Sequence, residues 1–272
     1  MTVDKATTFR ALHQPGNPFI LANAWDVGSA LMLQGMGVKA IATSSAALAF
    51  TLGTRDMGHI TRDQSLAHAQ NLIAAVNVPV SGDFENGFGE APEICAETVR
   101  MASEIGLAGI CIEDTALPND DAYAFDLAVE RIKAAASAAR RLSNDFFLVA
   151  RADGVLTGKY DVDEAIRRLQ AFEAAGADGL YTPTPANPKD LARICASVSV
   201  PVNVLAAGPC TKLKMDEFAK AGAARISLGS ALARATHRMI RDIGLDMFTE
   251  GDFSALGKSI SSDEVENLMF AS

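Results

Sequence analysis

The sequence predicts an α/β protein folded as a (β/α)8 TIM barrel, and three observations carry that prediction. The chain has 272 residues, close to the roughly 250 that such a barrel needs. Eight short apolar runs recur along it, each suited to a strand buried on both faces. Segments of helical pattern lie between them, and strict alternation of the two elements implies a parallel sheet. Eight units in this length favour a closed barrel over an open doubly wound sheet. No Gly-x-Gly-x-x-Gly follows the first strand to suggest a dinucleotide fold.

The first strand is Phe19-Ile20-Leu21-Ala22, and the second begins near residue 39, after Gly37. Val78-Pro79-Val80 opens the third, and the fourth begins near residue 108, after Gly106. Phe146-Phe147-Leu148-Val149-Ala150 is the fifth, and the sixth begins near residue 178, after Gly176. Val200-Pro201-Val202 opens the seventh, and the eighth begins near residue 224, after Gly222. The four glycines suit the left-handed residue that ends a helix, and proline tolerates the first position of a strand. Helices are expected over 92–104, 127–141, 162–175 and 215–220, with Pro92 in a first turn where its missing N–H costs nothing. Beyond residue 230 the composition stays helical, over 231–243 and 263–270. No linker or charge block splits the chain. The expectation is one barrel domain over 1–272, with 231–272 as a helical extension that covers the barrel or packs on a neighbouring subunit.

The hydrophobic fraction is 49% and the charged fraction 21%, enough for a core of normal size. A net charge of −9 argues against nucleic acid or an anionic membrane as partner. It does not argue against an anionic substrate, because a few cations or one metal ion reverse the field inside a cleft. Cys95, Cys111, Cys195 and Cys210 form no Cys-x-x-Cys pair, which reads as reduced thiols in a cytoplasmic protein. The N-terminus carries no basic region followed by an apolar run, so no signal peptide is expected. No run of about 18 apolar residues suggests a membrane span.

In a TIM barrel the chemistry sits at the C-terminal ends of the strands. Those ends hold Thr43-Ser44-Ser45, then Asp83 to Gly89, Glu113-Asp114, Arg151-Ala152-Asp153, Tyr181-Thr182, Asn203 and Ser227 to Ser230. Four carboxylates, Asp83, Glu85, Glu113 and Asp153, therefore converge on one mouth and would repel one another in a low-dielectric cleft. Arg151 offsets one charge, and a divalent metal is the simplest source of the rest. All the available ligands are oxygens, which favours Mg²⁺ or Mn²⁺ over Zn²⁺. Gly87 and Gly89 let the third loop turn sharply and approach a ligand. A lone acid at a strand end is as often a helix cap or an arginine partner, and Asp114 and Asp153 carry that bland reading alongside the functional one.

Asp83-x-Glu85-x-Gly87-Phe88-Gly89, followed by Ile112-Glu113-Asp114 and Val149-Ala150-Arg151, resembles the isocitrate lyase/phosphoenolpyruvate mutase superfamily. Gly53-Thr54-Arg55-Asp56 after Ser44-Ser45, and the early Asn23-Ala24-Trp25-Asp26, fit the same pattern, so the resemblance runs from about residue 8 to about residue 240. It implies that Asp83, Glu85 and Glu113 hold Mg²⁺, partly through water. Ser44, Ser45 and Ala46 match the loop that binds a substrate carboxylate, Asp56 an acid near the reacting centre, and Arg151 the arginine that meets the substrate's far anionic group. It also implies a homo-oligomer, dimer or tetramer, with a C-terminal helix exchanged between subunits.

The sequence departs from the family in two places. The second metal-site acid is Glu85 where Asp is usual. The loop after strand four, Thr115 to Tyr123, lacks the Lys-x-Cys-Gly-His of the classical lyases and is too short for a long lid. Asn119 is a stand-in for the asparagine of the mutase loop, beside the repelling Asp120 and Asp121. Cys111 reads as a small buried residue. His237, His59 and His68 read as structural or surface residues.

The expected function is a Mg²⁺-dependent lyase or decarboxylase. It would cleave a C–C bond of a small 2-keto or 2-hydroxy di- or tricarboxylic acid through a metal-stabilised enolate. Donors from the Ser44–Ala46 loop would fix the substrate carboxylate, and Asn203 would contact the substrate. Asp56, Arg151 and Glu113 are the candidate catalytic residues, with Tyr181 and His237 as further acid–base candidates. A C–P bond enzyme of the mutase type and a non-catalytic 2-keto acid-binding barrel are the alternatives. No lysine stands near a strand end, which disfavours a Schiff-base aldolase.

Overall fold

The structure is a computed structural model and describes residues 4–183 and 188–270. Its strands are β1 (Phe19–Asn23), β2 (Ile41–Ala42), β3 (Val80–Asp83), β4 (Gly109–Glu113), β5 (Thr115–Ala116), β6 (Asp121–Ala122), β7 (Phe147–Arg151), β8 (Gly179–Tyr181), β9 (Val202–Leu205) and β10 (Arg225–Ser227). Eight of them close into a parallel barrel in the order β1-β10-β9-β8-β7-β4-β3-β2. The remaining two, β5 and β6, pair as an antiparallel hairpin in the loop after β4. All eight expected strands are present.

The local reasons are those read from the sequence. Gly37, Gly106, Gly176 and Gly222 all adopt positive φ, between 85° and 100°, where a side chain would be strained. Pro79 and Pro201 stand one residue before β3 and β9. They need no N–H there, and their carbonyls accept from Ile41 (3.0 Å) and Leu180 (2.9 Å) on the neighbouring strands.

The helices are α1 (Lys5–Ala11), α2 (Val27–Gly35), α3 (Ser45–Thr51), α4 (Arg62–Ala75), α5 (Pro92–Glu104), α6 (Phe125–Ala139), α7 (Gly154–Thr157), α8 (Val162–Ala174), α9 (Pro188–Ala196), α10 (Met215–Lys220), α11 (Ala231–Leu245) and α12 (Ser262–Phe270). α5 and α10 fall where the sequence places them, and α6 is displaced two residues toward the N-terminus.

Two main cores form because the barrel strands are buried on both faces, apart from β1, where outward-facing Ile20 is exposed. Ile41, Ile110, Leu148 and Leu180 point outward onto Leu72, Val99, Leu169 and Phe172 of the helices. Phe19, Leu21, Phe147, Val149 and Tyr181 point inward. α1 closes the lower end of the barrel with Phe9, whose ring meets Phe147 edge-on at 5.9 Å. Burying such a side chain contributes about 2–3 kcal/mol. His13, just beyond α1, stacks on the same Phe147 ring at 3.9 Å. Nothing in the sequence reading anticipated this plug.

At the other terminus α12 packs on α2. A methyl group on Gly35 would stand 1.7 Å from the Leu268 carbonyl oxygen, so the glycine lets the two backbones touch. α11 leaves Ile240 exposed, and the helical turn after it, Asp246–Glu250, leaves Phe248 exposed. Among the described residues no helix is long and apolar enough to cross a membrane.

Candidate active site

The acidic residues at the strand ends do converge, and each is held differently. Asp83 ends β3, and its N–H donates to Thr43 Oγ1 at 2.8 Å. One Asp83 oxygen, Oδ2, accepts from both the N–H and the hydroxyl of Ser45, each at 3.0 Å. Two donors expected to meet a substrate carboxylate are therefore already given to Asp83. Ser44 caps α3 by accepting from the Ala47 N–H at 3.3 Å, and Ala46 lies in the first turn of that helix.

Glu85 sits at φ 45°, inside the sharp loop that also holds Gly87 at φ 79°. Gly89 has no positive φ. It is needed for space instead, since a methyl group there would come within 2.5 Å of Ile94. Glu85 Oε1 accepts from the Gly58 N–H at 3.1 Å. Burial first, and then the neighbouring Asp83 and Asp56 carboxylates, push its carboxyl up to about 7. The Glu85 carbonyl accepts from the Glu113 N–H at 2.8 Å, so the loop is tied to the end of β4.

Glu113 is buried against Arg151, with Oε2 3.2 Å from Nη1. Burial raises its carboxyl well above the usual range, and Asp153, Asp83 and Glu85 add to that while Arg151 opposes it. Arg151 also donates from Nε to Asp153 Oδ1 at 2.6 Å, and its guanidinium lies 5.1 Å from the centre of the Tyr181 ring. Burial alone would weaken the Arg151 charge, and Asp153 and Glu113 outweigh it. This arginine thus meets two carboxylates within the protein while also lining the cavity at the barrel mouth. Asp56 is half-buried on the facing loop. Burial raises its carboxyl, the Met57 N–H partly offsets this, and Asp83 adds repulsion.

Asp114 belongs to the frame. It accepts from the Asp153 N–H (2.8 Å), the Tyr160 hydroxyl (2.8 Å) and Arg168 Nη1 (2.9 Å). Its main-chain carbonyl accepts from the Tyr123 N–H at 2.8 Å, and Arg168 also reaches the Tyr123 carbonyl at 3.0 Å. The hairpin of β5 and β6 is thereby clamped at its base.

A cavity of about 50 Å³ lies inside the mouth, lined by Asp83, Arg151, Asn203, Arg225 and Ser227 among others. Glu85 faces a larger groove of about 950 Å³ beside it, toward the hairpin and Tyr123. Asn203 is buried between Arg225 and Ser227.

Among the described residues no three or more His, Cys, Asp or Glu side chains are arranged to hold a metal ion. Asp83, Glu85 and Glu113 thus do not close as a three-carboxylate chelate. They still fit a hard cation. Asp83 Oδ1, Glu85 Oε2 and Glu113 Oε1 accept no hydrogen bond from a described residue. Mg²⁺ commonly takes only one or two carboxylates and keeps its waters.

Several sequence candidates lie elsewhere. His237 is exposed on α11, its ring 5.9 Å from Phe50. Asn119 is exposed in the hairpin turn and His59 in its loop. His68, expected at the helix surface, instead turns inward and bonds the Trp25 carbonyl at 3.0 Å. Cys111 is buried, and burial pushes its thiol up to about 12. Arg225 was overlooked, although a lone arginine within the apolar run Ala223 to Leu228 was the available signal.

Residues 9–247 match the family model described as phosphoenolpyruvate phosphomutase. The chain belongs to the isocitrate lyase/phosphoenolpyruvate mutase superfamily. It is 34% identical over 224 residues to an uncharacterised protein of Mycobacterium tuberculosis (strain CDC 1551 / Oshkosh), covering 82% of each chain. It is 30% identical over 200 residues to the 2,3-dimethylmalate lyase of Eubacterium barkeri, covering 71% of this chain and 68% of that one. A crystal structure from Burkholderia cenocepacia J2315, described only as a lyase/mutase, superposes with a TM-score of 0.92 at 41% identity. That match covers 97% of this chain and 94% of the other. The superfamily includes C–C lyases, decarboxylases and phosphoenolpyruvate mutases. The loop from Asp83 to Gly89 carries two of the three candidate metal ligands.

Proposed function

We propose that this superfamily member is a Mg²⁺- or Mn²⁺-dependent carbon–carbon lyase or decarboxylase acting on a small 2-keto or 2-hydroxy acid. The observation that carries this reading is the convergence at the strand ends of Asp83, which lines the cavity of about 50 Å³ with Arg151, Glu113, which pairs with Arg151, and Glu85, which faces the adjoining groove. Asp83 and Glu113 would hold the ion directly, with Glu85 reaching it through water. When bound, the ion supplies Lewis-acid stabilisation of the negative charge that appears as a bond next to the substrate carbonyl breaks.

The rest falls to the chain. In a decarboxylation the bond between C3 and its carboxylate breaks, CO₂ leaves, and the electron pair passes into an enolate that then takes a proton at C3. Asp56, half-buried on the loop facing Asp83 with its carboxyl raised by burial, is the candidate to hold that proton. Arg151 keeps Glu113 and Asp153 in fixed positions and so preserves the geometry of the acidic wall. Cys111 keeps its own proton and offers no thiolate. We also infer an assembly of copies of this chain, supported by the exposed Ile240 and Phe248 beyond the barrel wall.

The test measures release of 2-keto acid or CO₂ from oxaloacetate, 2-methylisocitrate, dimethylmalate and phosphonopyruvate, with Mg²⁺ and with chelator. Metal-dependent turnover of one carbon acid is expected, and Asp83→Ala should abolish it while leaving the fold intact. Turnover that persists in excess chelator would sink the reading.

A further inference from the structure

The floor of the barrel-mouth cavity has an unusual composition. Arg225 points into the barrel from β10 and is 4% exposed, yet no described carboxylate lies within ion-pair distance. Buried charges are normally paired. Its partners are instead neutral: Nε donates to Asn203 Oδ1 at 2.8 Å, and Nη1 faces His13 Nε2 at 3.4 Å. Burial lowers the guanidinium to about 10, so it remains a cation at neutral pH.

The polarity of the floor follows by elimination. Arginine offers only donors, so the Asn203 oxygen must face it. The Asn203 amide nitrogen then faces Ser227 and donates to its Oγ at 2.8 Å. The Ser227 oxygen is occupied as an acceptor, and it donates to no described residue, so its proton is left for the cavity that it lines. His13 is fixed in the complementary tautomer: Nδ1 lies 2.8 Å from the Phe9 carbonyl and must donate, which leaves Nε2 to accept from Arg225. Opposite this floor stand the acceptors, Asp83 in the same cavity and Glu113 behind Arg151.

We propose that Arg225 is a positioning residue of this site: acting through Asn203, it makes the cavity floor a donor surface for the anionic end of the substrate, opposite the carboxylate wall. Arg151 is already engaged by Glu113 and Asp153, whereas Arg225 has no ion-pair partner among the described residues and fixes Asn203 through its Nε. The inference rests on the reading of this cavity as an anion-binding active site.

The test is binding of oxalate, a planar dianion that mimics a keto-acid enolate, to the intact protein with Mg²⁺ by titration calorimetry. Wild type should bind. S227A and R225M should each weaken binding by about tenfold or more, the scale of a hydrogen bond to a charged group. R225M should cost little further affinity in the S227A background, because the effect passes through one donor chain. R225K, which keeps a charge and a donor, should recover most of the loss. S227A stands alone as a test if R225M does not fold. Wild-type affinity in S227A, or fully additive losses in the double variant, would overturn the proposal while leaving the proposed function standing. A wild type that binds no oxalate would overturn both.

Discussion

Lowering the pH should destabilise this barrel through His13, and the size of the effect can be worked from its surroundings. The ring is buried against Phe9, Phe19 and Phe147. Burial first, and then the Arg225 charge, lower it from 6.5 to about 3. The folded state therefore keeps the ring neutral where the unfolded chain takes a proton. The stabilisation is complete above about pH 6.5 and is lost as the pH falls toward 3. Each pH unit in that window is worth about 1.4 kcal/mol, so pH 4 should remove roughly 3 kcal/mol relative to pH 7. That is a large part of the about 5–15 kcal/mol that holds a typical domain together. Urea unfolding of wild type and His13→Gln at both pH values isolates the contribution, because glutamine can donate to Phe9 and accept from Arg225 without titrating. The variant should lose about 3 kcal/mol less than wild type on acidification. Parallel losses in the two proteins would refute the reasoning.

Two further perturbations test the frame. Asp114→Asn removes one of the two carboxylates on buried Arg168, which keeps Glu164, and should cost about 1–3 kcal/mol in urea unfolding. Gly109→Ala would place a methyl group 2.2 Å from the Phe147 carbonyl oxygen inside the barrel. It should lower the melting temperature by an amount equivalent to about 1–3 kcal/mol, whereas Gly257→Ala, which meets nothing within 4 Å, should leave it unchanged.

The barrel was legible because its punctuation is local. A glycine such as Gly106 or Gly176, forced to positive φ, announces the end of a helix, and the apolar run after it can only be a buried strand. The acidic wall was legible for the same reason, since a strand's C-terminal residue is fixed once the strand is. What escaped depends on partners distant in sequence. α1 is short and mostly polar, and its purpose appears only when Phe9 and His13 meet Phe147 across the barrel floor. Arg225 looks like an interruption of an apolar strand until its contact with Asn203 is seen. The roles of Asp114 and Asp153 could not be separated from sequence either. Both follow an apolar run, but one turns outward to Arg168 on α8 and the other inward to Arg151.

The clamp at the foot of the β5–β6 hairpin makes that excursion a replaceable cassette. Because Asp114, Tyr123 and Arg168 are bonded to one another beneath it, the eight residues from Thr115 to Ala122 leave and rejoin the barrel at points fixed by others. A longer segment grafted there would inherit the same two anchor points above the mouth. An engineer can thus exchange this loop with the acids at the ends of β3 and β4 left in register.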